Sequence, residues 1–159
     1  VPGGWELNMR TYLVVIDETE EAEVALRFAA RRAMKTGGAV EILVVMDRAE
    51  FVAWGGIQAT MEAEAREHAE DVVARALDTL GEEGQLSPAI HVRQGAAAPM
   101  IRAAIDANPN IAALVLGAAP GGNPGPLVSH FSGSEAGNLP VPIMLVPGAL
   151  NREALDRLS

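Results

Sequence analysis

The chain has 159 residues, 49% of them hydrophobic and 21% charged, with a formal net charge of −9. That length suits one domain able to bury its own core without disulfides or metal. With no cysteine in the sequence, disulfides, thiol chemistry and most zinc sites are excluded, and the acidic balance weighs against nucleic acid and anionic membranes as partners.

No apolar run reaches the roughly 18 residues of a membrane span. The first ten residues, VPGGWELNMR, lack the apolar centre of a signal peptide. Met9 is the expected natural start, so residues 1–9 read as an N-terminal tail or added remnant. Residues 10–147 form the expected domain, and 148–159 a C-terminal tail. The expected location is the cytoplasm, which the lack of cysteine suits.

Tyr12 to Ile16 is apolar at every position and ends in Asp17, as in a strand buried on both faces of a parallel sheet. Thr19 is placed to cap a helix whose first turn carries Glu20 and Glu21, where the helix dipole favours acids. Ala22, Ala25, Leu26, Ala29, Ala30 and Ala33 follow at helical spacing, and Gly37-Gly38 ends the helix. Its Arg27, Arg31, Arg32 and Lys35 form the chain's densest basic patch, read as a solvated face.

Val40 to Met46 repeats the buried-strand pattern. After an irregular piece holding Trp54-Gly55-Gly56, a long helix is predicted from about Ile57 to Leu80. Its stripe is Met61, Ala65, Ala69, Val72, Val73, Ala76, Leu77 and Leu80, and Gly81 and Gly84 are expected to close it. A short strand at Ala89 to Val92, Gly95, a helix at Met100 to Ala107 and a strand at Ile111 to Leu116 come next. Val141 to Val146 is the last strand, and Asn151 to Leu158 can form one more short helix. Such alternation predicts an α/β fold: an open five-stranded parallel sheet with helices on both faces, Rossmann-like in type. Ligands of such sheets sit at the carboxyl ends of the strands, where strand order reverses.

Familiar catalytic signatures are missing. The turn after the first strand reads Asp17-Glu18-Thr19-Glu20 and has no glycine, so G-x-G-x-x-G is absent. Neither the phosphate-binding G-x-x-x-x-G-K-[ST] nor the hydrolase G-x-S-x-G occurs. His68, His91 and His130 are scattered without metal-ligand spacing, and structural roles are expected for the first two.

One stretch remains: LGAAPGGNPGPLVSHFSGS, residues 116–134, with five glycines and three prolines. It follows a buried strand, where glycine lets backbone N–H groups approach an anion. A rigid connection that binds nothing, stiffened by its prolines, is the alternative.

Taken in order, four pieces resemble the universal stress protein family over residues 11–147. They are Tyr12–Asp17 with its polar turn, EILVVMD at 41–47, Gly95 ahead of the third helix, and Leu116-Gly117 with the glycine-rich loop and the terminal VPIMLVP strand. The resemblance implies a five-stranded parallel sheet and a homodimer through the last strand, Val141 to Val146. Many members bind ATP or AMP, and others bind none. By resemblance, Asp17 stands by the ribose and phosphates, and Val45 meets adenine through its backbone. Leu116 and Gly117 begin the phosphate loop.

The binders' motif, G-x-x-G and then G-[ST] nine residues later, is altered here. Pro120 holds the second glycine position, with Gly121 and Gly122 following. Gly133-Ser134 keeps the final letters but leaves too little chain for the usual last helix. Counting back from the last strand instead puts Ser129-His130 there, with a helix from near Pro126 to Gly137 or Asn138 and Gly133 inside it. The expected function is a small regulatory or protective stress-response module. Its best candidate ligand is ATP or AMP, with or without magnesium. A dimeric interaction module without nucleotide is the first alternative. A slow nucleotide hydrolase using Asp17, Asp47 or His130 is the second.

Overall fold

A computed structural model describes residues 9–46 and 58–159, with the backbone alone for residues 58–62. Asp47, the Trp54-Gly55-Gly56 piece and Ile57 therefore lie outside the described residues, as does the side chain of Met61. Five strands form one parallel sheet in the order β3-β2-β1-β4-β5. They are β1 (Thr11–Ile16), β2 (Ala39–Met46), β3 (Ala89–Gln94), β4 (Ile111–Ala118) and β5 (Ile143–Pro147). The helices among the described residues are α1 (Glu20–Thr36), α2 (Gln58–Glu83), α3 (Ala97–Ala107), α4 (Pro126–Phe131) and α5 (Arg152–Leu158). The expected open α/β sheet is present.

The all-apolar runs are the central strands. Every residue of β1 is buried, as are six of the eight in β2. Their side chains alternate between two cores. Tyr12, Val14 and Ile16 meet α1 and α2, while Leu13 and Val15 meet α3 and α4. Because the buried face of α1 consists of five alanines and Leu26, its backbone comes close to the sheet. Thr19 caps α1 as expected, its hydroxyl accepting from the Ala22 N–H at 3.2 Å. Gly37 ends the helix in the left-handed conformation, φ 68°.

Several expectations are corrected. Helix α2 runs through Gly81 to Glu83, because buried Leu80 and the ion-paired Glu83 both hold its last turn. Strand β4 includes Gly117 and Ala118, which pair with Val146 and Pro147. The last strand begins at Ile143 rather than Val141. Helix α4 starts at Pro126 as expected but ends at Phe131. Ser132-Gly133-Ser134 is poor in helix propensity, and a 3-10 turn follows at Ala136–Asn138. Gly133 is thus outside any helix.

The basic patch on α1 is not a solvated face. Arg27 and Arg31 straddle Glu83 at 2.8 and 2.6 Å, with side chains only 12% and 15% exposed. Arg31 also pairs with Asp156 of α5, and Lys35 donates to the Ser159 carbonyl at 2.9 Å. Leu155 is buried beneath α5, so the tail folds back as a capped helix with Asn151 at its N-terminus.

Candidate functional site

The strand order reverses between β1 and β4, so their carboxyl ends define the cleft where ligands of this architecture sit. On the β1 side, Asp17 accepts a 2.7 Å hydrogen bond from the Thr19 hydroxyl, which itself caps α1. One Asp17 oxygen, Oδ1, is thereby engaged in holding the turn. Between them Glu18 adopts φ 69°, a left-handed conformation that costs a non-glycine residue about 1 kcal/mol. Its carboxylate pairs with His68 of α2.

On the β4 side, the loop folds upon itself. Ala119 N–H donates to the Pro124 carbonyl at 3.0 Å, and the Asn123 side chain accepts from Gly125 N–H at 3.1 Å. Gly121 and Gly125 take positive φ values of 101° and 110°. Helix α4 then begins with Pro126 in its first turn and no side-chain cap. A proline there has no N–H to offer a ligand.

These two sides enclose a cavity of about 40 Å³. Asp17, Leu116 and Gly117 share it with Glu21, Pro124 and Pro126. The described residues around it include two carboxylates and no lysine, arginine or histidine. Gly117 faces the α1 backbone, since a Cβ on it would stand 2.1 Å from the Glu21 carbonyl oxygen.

The other expected site residues are elsewhere. Val45 is partly buried on the α3–α4 side of β2 and does not border this cavity. Gly121 and Gly122 are exposed in the loop. Ser129 and His130 are exposed in the body of α4 and outside the cavity lining. The His130 ring stacks edge-on against Phe131, centroids 4.8 Å apart. Sequence reasoning missed Glu21 and Gly125 at this site. The signal was the helix start at Pro126, which makes Gly125 and Pro126 the residues at the end of the loop. Among the described residues, no group of three or more His, Asp or Glu side chains is arranged to hold a metal ion.

As lined by the described residues, the β1–β4 cavity is small. Its volume is far below the roughly 300–1,000 Å³ of small-molecule sites. Its fixed charge is negative, and the helix end facing it lacks a donor at the proline.

The sequence matches the model of the universal stress protein family over residues 9–147. A comparison with curated protein sequences finds no match. Solved structures share the fold at low identity. The universal stress protein UspA from Lactobacillus plantarum has TM-score 0.68 and 16% identity, covering 86% of this chain and 97% of its own. A universal stress protein solved in complex with cAMP has TM-score 0.57 and 15% identity, covering 88% and 98%. One from Archaeoglobus fulgidus in complex with dAMP has TM-score 0.52 and 22% identity, covering 87% and 97%.

Proposed function

This chain belongs to the universal stress protein family, and we propose that it serves as a cytoplasmic, homodimeric interaction module that works without a bound adenine nucleotide. The observation that carries this reading is the β1–β4 cavity: about 40 Å³, bordered by Asp17 and Glu21, with Pro126 at the helix end. Phosphates placed there would meet the Asp17 and Glu21 carboxylates, and no lysine, arginine or histidine among the described residues borders the cavity.

Titration calorimetry with ATP and with AMP, each with and without magnesium, tests it. The expected result is no saturable heat from folded protein up to millimolar nucleotide. Saturable micromolar binding would overturn it.

A second reading keeps the nucleotide. It is favoured by the relatives solved with cAMP and dAMP and by Gly121 and Gly125, whose backbone freedom would let the loop open. In that reading Asp17 and Gly117 stay at the ribose and phosphates, and the loop must withdraw Pro124 and Pro126 before a nucleotide enters. The hydrolase reading has less support, because His130 is outside the cavity and Asp17 is bonded to Thr19.

The dimer half of the proposal rests on β5. Among the described residues it pairs only with β4, and Leu145 is 45% exposed. An edge strand left with unpaired backbone groups is covered when a second copy meets it across a two-fold axis. Light scattering at micromolar concentration should give the dimer mass, and a monomer mass would overturn this part.

A further inference from the structure

The α3–α4 side of the sheet is covered unevenly. Ile101 and Ile105 of α3 reach the core formed by Leu13, Leu43 and Leu114, but no residue of the outer strand β3 joins that core. A groove of about 470 Å³ lies between α3 and β3. Leu43 and Met100 border it, and the small side chains of Ala103, Ala104 and Ala107 leave it open.

Charge is arranged at its two ends. Glu41 pairs in register with Ala89, four residues before Arg93 on the neighbouring strand. At about 3.3 Å per residue, the two levels are roughly 13 Å apart. The Glu41 side chain is only 8% exposed. Among the described residues it is met by Asn108 Nδ2 at 3.4 Å and His91 Nε2 at 3.5 Å, both at the long limit of a hydrogen bond. Neither is a fixed positive charge. A carboxylate buried this deeply and held this loosely is short of a cation. At the other end, Arg93 uses one guanidinium N–H on the Val92 carbonyl at 2.9 Å. Its remaining donors have no acceptor among the described residues.

We propose that this groove binds an extended aliphatic ω-amino acid, with its ammonium on Glu41 and its carboxylate on Arg93. The alkyl body is removed from water against Leu43, Met100 and the three alanines, which supplies the apolar contribution. Arginine suits the carboxylate end because its planar fork matches a carboxylate. The site lies outside the β1–β4 cavity and stands whether or not a nucleotide binds there.

The test uses 8-aminooctanoate as the probe and octanoate, which lacks the ammonium, as its control. Calorimetry should show saturable binding of 8-aminooctanoate, at least tenfold tighter than octanoate. Glu41→Gln should weaken it at least tenfold, with thermal unfolding confirming that the variant is folded. Absence of saturable heat, equal affinity for octanoate, or unchanged affinity in Glu41→Gln would overturn the proposal. Should the variant fail to fold, amide chemical shifts of the unmodified protein decide. Changes at His91, Ala104 and Asn108 on adding 8-aminooctanoate uphold the site, and their absence rejects it.

Discussion

Gly117 lies under the first turn of α1 so closely that a Cβ added to it would stand 2.1 Å from the Glu21 carbonyl oxygen and 2.9 Å from the Ala22 nitrogen. Both neighbours are backbone, so no side chain can swing away. The alanine face of α1 brings the helix down onto the sheet, and Gly117 is what lets its N-terminus arrive. The glycine therefore has a packing reason that is complete without a phosphate.

Gly117→Ala should accordingly destabilise the fold by about 3 kcal/mol, because the whole helix end must shift to admit a methyl group. For a chain of this size that corresponds to roughly 10 °C in Tm. Gly122→Ala is the comparison, since nothing lies within 4 Å of its added Cβ. It should stay within about 0.5 kcal/mol of the parent. Equal, small effects at both positions would contradict the packing account.

Gly117 also shows what the sequence can and cannot convey. A glycine after a buried strand fits both a close helix and a cradled anion, and one letter does not choose between them. The central strands were legible because burial on both faces demands apolar residues at every position, as at Leu13, Val14 and Val15. Strand ends were less so, since Gly117 and Gln94 are extended by the partners they pair with. Pro126 announced where α4 begins. Its early end depends on Phe131 and Val128 being buried and on the weak Ser132-Gly133-Ser134 segment after them. The partners of the basic patch are hidden from the sequence for a different reason. Arg31 meets Glu83 across 52 residues of sequence, and no local pattern reports such a pairing.

The turn that follows β1 makes a separate prediction. Thr19 receives the Ala22 N–H and donates to Asp17, so one hydroxyl links the strand end to the helix start. Thr19→Ala should cost about 1 kcal/mol through the lost cap. Asp17→Asn keeps an oxygen for the Thr19 hydroxyl and should cost less than half as much. Urea unfolding of the two variants distinguishes them. A larger loss in Asp17→Asn would mean that the carboxylate charge itself stabilises the turn.

Helix α5 is held by one buried side chain and a set of surface ion pairs. Leu155 is 1% exposed, while Arg152 reaches Glu82 at 3.3 Å and is 71% exposed. Exposed pairs of that kind contribute little, so Leu155 is the anchor. Leu155→Ala should weaken docking by about 3 kcal/mol. Because Leu155 is the one buried residue of α5, the loss should appear locally. Hydrogen exchange at the Leu155 and Ser159 amides, bonded to Asn151 and Leu155 in the native fold, should accelerate about 100-fold. Amides of β1 should keep their protection, and unchanged exchange in α5 would show that the ion pairs suffice.

Glu83 makes the pH dependence readable. Burial alone would raise its pKa, but hydrogen bonds and charge from Arg31 and Arg27 outweigh burial and hold the carboxyl below its ordinary value of 4.5. A carboxyl with a depressed folded-state pKa stabilises the fold fully above the ordinary value. That contribution disappears as pH falls through the lower folded-state value, because the native state must then take up a proton it resists. Near neutral pH, Glu83→Gln should cost about 3 kcal/mol, since two largely buried guanidiniums lose their shared carboxylate. Arg27 retains Glu82 at 2.8 Å and Glu23 at 3.2 Å, which keeps the cost at the lower end for a broken buried pair. Unfolding curves of parent and variant, measured from pH 7 down to about pH 2, should therefore converge on the acid side. A stability gap that stays constant across that range would mean that Glu83 contributes through packing rather than through its charge.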